Sequence, residues 1–278
     1  MTGGAVYARG LSKSYGRRQA VCELDLDVGY GEIVAILGPN GAGKSTTIEI
    51  LEGHRQRDHG DVRVLGEDPG TAGRGWARIG IVLQEASDFG MLTVTETVRM
   101  FGKCYDGARQ PDDVLELVGL GAAARSRVRS LSGGQRRRLD VALGIIAKPE
   151  LLFMDEPTTG FDPEARRRFW ELIKLLAGGG TTILLTTHYL EEAAALADRV
   201  VVIAAGRVVA VDTPTGLTAQ ANSMATVRWV EGDREHVAHT DHPTELIRKQ
   251  SADGAELAQL TVTRPTLEDA YLRLIESA

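Results

Sequence analysis

Residues 32–37, Glu-Ile-Val-Ala-Ile-Leu, run directly into Gly38, Pro39, Asn40, Gly41, Ala42, Gly43, Lys44, Ser45 and Thr46. A continuous apolar run of this length reads as a strand buried on both faces. The pattern after the glycines predicts a helix from about Lys44 to Leu51. Strand, glycine-rich turn and helix in that order belong to a sheet of mostly parallel strands. Glycines let the backbone curl until several N–H groups point at one spot, and the helix N-terminus adds a favourable dipole. The segment matches the phosphate-cradling pattern GxxxxGK[ST], in which Lys44 reaches the β- and γ-phosphates and the Ser45 hydroxyl suits Mg²⁺. A turn that merely joined strand to helix would not need the Lys-Ser pair.

The same alternation continues to about Thr213. Ile79 to Leu83, Leu151 to Met154 and Thr182 to Leu185 are expected as further core strands, and Arg199 to Val211 as a hairpin turning at Ala205-Gly206. Asp162 and Pro163 are suited to cap and open a helix with Phe169, Leu172, Ile173 and Leu176 on one face, which Gly178 to Gly180 should stop. Another helix after Gln135 carries Leu139, Ala142, Leu143 and Ile146 at the same spacing. Beyond residues 213–222 the character changes. Thr226 to Val230 and Glu235 to Thr240 can pair across Gly232, and helical Pro243 to Lys249, a strand at Leu257 to Thr263 and a helix at Leu267 to Ile275 follow. At 278 residues the chain has room for one large domain, 1–213, and a small α+β appendage, 214–278.

Composition narrows the partners. The net charge of −6 argues against a general nucleic-acid surface, and the basic runs at Arg136 to Arg138 and Arg166 to Arg168 read as solvated helix faces. Cys22 and Cys104 are too few for a disulfide framework or a metal pair, which suits a reducing cytoplasm. No signal-peptide core and no spanning apolar run is expected, so membrane association would come through another protein.

A phosphate loop alone does not choose a reaction. Residues 151–156, Leu-Leu-Phe-Met-Asp-Glu, bring two carboxylates out at the end of a buried strand, where an α/β sheet binds its ligands. Asp155 is placed to hold Mg²⁺ through water, and Glu156 to polarise an attacking water as general base. Leu131-Ser132-Gly133-Gly134-Gln135 then sets small residues ahead of a helix, exposing backbone N–H groups beside the Ser132 hydroxyl.

With this last motif the chain resembles the ABC ATPase family, whose signature sequence it carries, from about residue 5 to 213. The resemblance implies a P-loop fold with a mostly parallel core sheet, an antiparallel β subdomain and a helical subdomain at about 85–148. It implies that Gln84 touches Mg²⁺ or the attacking water, that His188 hydrogen-bonds the γ-phosphate, and that the Tyr15 ring stacks on adenine. It implies further that Ser132, Gly133, Gly134 and Gln135 face the ATP of a second subunit, and that Asp162 crosses the dimer interface; Phe161 stands where the family usually has Leu. One P-loop and one signature per chain then require a homodimer, driving a separate polytopic membrane permease from the cytoplasmic face. Pro157 to Gly160, Thr186 to His188 and Arg264 to Leu272 resemble the ABC-2 type exporter ATPases, a subgroup that includes daunorubicin resistance subunits. That implies export of a drug, antibiotic or lipid. A soluble cluster-assembly ATPase of the same family is the alternative reading. A P-loop kinase or GTPase offers no reason for Ser132 to Gln135 and lacks a guanine-reading motif.

Overall fold

The computed structural model describes residues 4–71, 77–82, 89–220, 224–232, 234–251 and 256–276. Its contacts divide the chain into two compact units, Met1–Val211 and Asp212–Ala278.

The first unit is built on a six-stranded sheet in the order β5-β6-β7-β3-β8-β9. Its strands are β3 (Ile33–Leu37), β5 (Ile79–Val82), β6 (Leu151–Asp155), β7 (Thr182–Thr186), β8 (Arg199–Ala204) and β9 (Arg207–Asp212). The strands from β5 to β8 are parallel neighbours. β3, β7 and the apolar part of β6 are buried along their whole length, as strands covered on both faces must be. The β8–β9 turn has Ala205 and Gly206 both at positive φ, 47° and 79°, as a two-residue hairpin connection requires. The order β6-β7-β3 is what matters for function. It sets the carboxyl ends of three strands side by side, although β3 lies over 100 residues from the other two in sequence.

Against this sheet lies a three-stranded antiparallel one, order β2-β1-β4, made of β1 (Val6–Tyr15), β2 (Arg18–Val28) and β4 (His59–Val64). Leu11, Leu24, Val62, Ile36 and Phe153 belong to one shared core. Tyr15 pairs with Arg18 across the tight β1–β2 turn, which brings both side chains to the same end of the sheet. Helix α1 (Lys44–Leu51) begins where the glycine-rich turn ends. Helices α2 (Val94–Gly102), α3 (Pro111–Leu117) and α4 (Gly133–Ile145) pack on one another as a helical subdomain. α5 (Pro163–Gly178) buries Phe169, Leu172, Ile173 and Leu176, and α6 (Leu190–Leu196) packs beside it.

The second unit holds α7 (Pro214–Gln220), β10 (Ala225–Glu231), β11 (Arg234–Thr240), α8 (Pro243–Gln250), β12 (Ala258–Thr263) and α9 (Leu267–Glu276). Its sheet runs β11-β10-β12, all antiparallel, with Val227 and Trp229 of the central strand buried. Among the described residues no helix is long and apolar enough to cross a membrane.

The solvated reading of the basic runs fails at two positions. Arg137 is only 8% exposed, and Arg166 is half-buried with its guanidinium 4.2 Å from the centre of the Tyr189 ring. Helix periodicity turned these two inward, whereas Arg167 and Arg168 stay exposed.

Candidate active site

The turn after β3 is shaped by contacts that exclude side chains. A Cβ on Gly38 would stand 2.3 Å from the Ile203 carbonyl oxygen, and Gly43 has φ 105°. Gly43 leaves the first turn of α1 without a capping side chain. Lys44 is buried, and its Nζ donates to the carbonyls of Gly38 (2.8 Å) and Pro39 (3.2 Å) within the same loop. Burial pushes the Lys44 ammonium below the usual lysine range, while the carboxylates of Glu156 and Asp155 work against that shift.

Above the turn lies a cavity of about 550 Å³ whose lining includes Tyr15, Arg18, Asn40, Lys44, Ser45 and Glu156. Gly41, Gly43 and Thr46 line it as well, so the expected phosphate loop and the expected base share one space. Tyr15 is 41% exposed at its edge, with Arg55 5.3 Å and Lys13 5.8 Å from the ring centre. Arg18 was not singled out from the sequence. It reaches back to donate to the Gly41 carbonyl at 3.2 Å, and the only sequence clue was its place across the turn from Tyr15.

At the end of β6 the Thr186 hydroxyl donates to the Asp155 carboxylate. The Glu156 N–H is held by both the carbonyl (3.1 Å) and the hydroxyl oxygen (3.0 Å) of Thr186. Glu156 has φ 44°, a left-handed conformation that costs a non-glycine residue about 1 kcal/mol or more and persists only where neighbours enforce it. Its Oε2 accepts from the Thr159 hydroxyl at 3.4 Å and lies 3.3 Å from His188 Nδ1. The His188 ring rests on Tyr189, centroids 4.1 Å apart, and Tyr189 lies beneath Arg166. Thus α5 supports the histidine from behind.

Ser45 and Asp155 offer hard oxygen donors of the kind Mg²⁺ takes when phosphate and water complete its shell. Among the described residues no cluster of three or more His, Cys, Asp or Glu could hold a metal from protein groups alone. Gln84 falls outside the described residues.

The signature residues lie elsewhere. Ser132 caps α4 in a reciprocal box: its hydroxyl accepts from the Gln135 N–H (3.3 Å), and Gln135 Oε1 accepts from the Ser132 N–H (3.0 Å). Gly133 and Gly134 have open space where a side chain would be. Asp162 caps α5 by accepting from the Ala165 N–H at 2.8 Å. None of these five residues lines the cavity over Lys44. Phe161, the departure from the usual Leu, packs edge-on against buried Phe169 with ring centroids 5.6 Å apart.

A family model described as ABC transporter matches residues 21–159. The chain is also 39% identical to the daunorubicin resistance ATP-binding protein DrrA2 of Streptomyces coeruleorubidus, across 99% of this chain and 96% of that protein. The chain belongs to the ABC transporter family. It is a nucleotide-binding ATPase subunit of that family. It is 36% identical to the Nod factor export ATP-binding protein I of Rhizobium johnstonii, covering 97% of this chain and 94% of that one. A dimeric ATP-binding cassette solved in a post-hydrolysis state with ADP and phosphate superposes with a TM-score of 0.67 at 25% identity, over 75% of this chain and 98% of that one.

Glu52, at the end of α1, was also missed. It is 3% exposed, and its carboxyl is pushed up to about 8, first by burial and then by the charges of Asp155 and Glu49. Oε2 lies 3.3 Å from His54 Nδ1. Between the ordinary glutamate value of 4.5 and about 8, the folded ABC subunit keeps a proton that the unfolded chain releases. The stabilising contribution is therefore complete below the lower value and lost as pH rises through the upper one. Glu52→Gln should remove this slope, so the thermal midpoint of the variant should gain on the wild type between about pH 5 and pH 8. A difference that stays constant over that range would show Glu52 to be ionised throughout.

Proposed function

We propose that this chain is the ATPase of an ABC-2 type exporter, working as a homodimer beneath a separate polytopic membrane permease. The observation that carries the reading is that Lys44 and Glu156 line one cavity, with His188 Nδ1 3.3 Å from Glu156 Oε2, while Ser132 to Gln135 stand outside it. A chain that keeps its signature away from its own phosphate loop is suited to complete a neighbour's site.

In this reading ATP lies with adenine on Tyr15 and its phosphates in the N–H cradle of residues 38–46, held by Lys44. Ser45 and Asp155, with Gln84, hold Mg²⁺, whose charge, when it is bound, offsets that of the phosphates. Glu156 accepts the proton of the attacking water, and the distance to His188 lets that ring share the position of the carboxylate. His188 supports charge developing on the γ-phosphate. From the second subunit, Ser132, Gly133, Gly134, Gln135 and Asp162 close the site. The names of the relatives, one a drug resistance protein and one an export protein, support export of a drug, antibiotic or lipid.

Sedimentation of the Glu156→Gln protein tests the pairing. With MgATP it should run at twice the monomer mass and with ADP at the monomer mass. A particle that stays monomeric in saturating MgATP would overturn the closed dimer. The export reading requires that the full chain, extracted in mild detergent, bring down a polytopic membrane protein that stimulates its ATPase activity; association with soluble cluster-assembly proteins alone would point to the other branch of the family.

A further inference from the structure

Arg137 lies in the second turn of α4, five residues after Ser132. Its guanidinium is buried and does not touch the cavity over Lys44. Nη2 donates to the Asp155 carbonyl at 2.9 Å and Nε to the Pro157 carbonyl at 3.0 Å. Those carbonyls belong to the residues immediately before and after Glu156. On its other side the Glu156 N–H is held by Thr186 of β7. The left-handed backbone of Glu156 is therefore gripped from two elements at once, and a fork of two N–H donors is what spans carbonyls two residues apart. Burial draws the guanidinium below the usual arginine range and the carboxylates of Asp140, Asp155 and Glu192 work against that shift; a guanidinium is basic enough to stay charged there.

About one turn before Arg137, the N-terminus of α4 is the signature. Its first residues are capped by Ser132 and Gln135, and its glycines face open space. One rigid helix thus joins the surface offered to the neighbour's nucleotide to the backbone that aims this subunit's own base. We infer that Arg137 is a positioning residue that couples the signature helix of each subunit to Glu156 of the same subunit, so that engagement of α4 by the neighbour's ATP helps set the base in place. The inference rests on the dimeric ATPase reading above. It adds a route by which each site senses occupation of the other.

The full-length protein with Arg137→Lys, Arg137→Gln and Ser132→Ala, singly and combined, tests this. Lysine keeps the charge but offers one nitrogen on a flexible stem in place of the fixed Nε–Nη2 fork that holds the two carbonyls. Arg137→Lys should retain the wild-type melting temperature and ATP affinity within about threefold, while kcat falls about 10- to 100-fold with KM little changed. Any sigmoidal dependence on ATP should flatten. In the Arg137→Lys background, Ser132→Ala should lower kcat little further, because both act through one connection. A folded Arg137→Lys protein with wild-type kcat would overturn the role, as would losses that multiply fully with those of Ser132→Ala. If Arg137→Gln fails to fold, the lysine variant still decides. The Glu156→Gln control separates the two levels: if it turns over ATP normally, the site assignment is wrong, whereas if it is inactive and Arg137→Lys is not, only the coupling falls.

Discussion

Glu156→Gln should lower kcat for ATP hydrolysis by about 10²- to 10⁴-fold, the range expected when a general base is removed. The amide keeps the size of the side chain and can still meet the Thr159 hydroxyl and His188, which stand 3.4 and 3.3 Å from Glu156 Oε2. What it lacks is basicity. The backbone constraint should survive, since Thr186 and Arg137 hold main-chain atoms on either side of the residue. Lys44, Ser45 and the loop N–H groups are untouched, so ATP affinity should stay within about threefold of wild type, and the loss should fall on kcat alone. Steady-state turnover with an independent ATP-binding titration checks both halves. Turnover above about a tenth of wild type would remove Glu156 from the role of base.

Gly43→Ala should be nearly as damaging by a different route. At φ 105° an alanine is strained whatever the space around it, and here its Cβ would stand 2.4 Å from the Ala20 carbonyl oxygen. That oxygen is backbone of β2, so neither a rotamer change nor a flexible chain end can relieve the clash. The loop must move, and Lys44 and Ser45 move with it. MgATP turnover should fall at least about 100-fold, since displacement of about 1 Å suffices for that. Destabilisation of about 1–3 kcal/mol should accompany it, lowering the melting temperature by about 2–4 °C per kcal/mol for a unit of this size. Calorimetry and an ATPase assay would show both. Near-normal turnover would mean that the loop conformation described above is not the one that binds phosphate.

Much of the site was legible because its parts are local. The phosphate loop needs only a strand, glycines with the right freedom, and Lys44-Ser45 at the start of a helix, all within 20 residues. The carboxylates at the end of Leu151–Asp155 follow from a buried strand emerging at the end of a sheet, and the cap at Asp162 from its residue type ahead of Pro163, whereas the helix expected after Gln135 starts at Gly133 with Ser132 as its cap. The parallel sheet, the antiparallel subdomain and the helical subdomain were likewise expected and are present. What could not be read were contacts made at long range. Arg137 looked like one member of a solvated basic run because nothing near it in sequence announces the carbonyls of Asp155 and Pro157. The grip of Thr186 on both carboxylate residues depends on β6 and β7 being neighbours.

The sequence by itself determined which chemistry the chain can carry, since phosphate cradling, a candidate base and a signature before a helix are each properties of short segments. Tertiary structure decided how those segments constrain one another. The order β6-β7-β3 brought His188 to Glu156 and Glu156 to the loop of Lys44. Burial took Arg137 out of the solvated basic run and set the direction in which both Arg137 and Glu52 shift, with neighbouring carboxylates as the lesser cause. Local propensity reaches only a few residues along the chain, whereas desolvation and hydrogen-bond partnership depend on which distant segments the fold packs together.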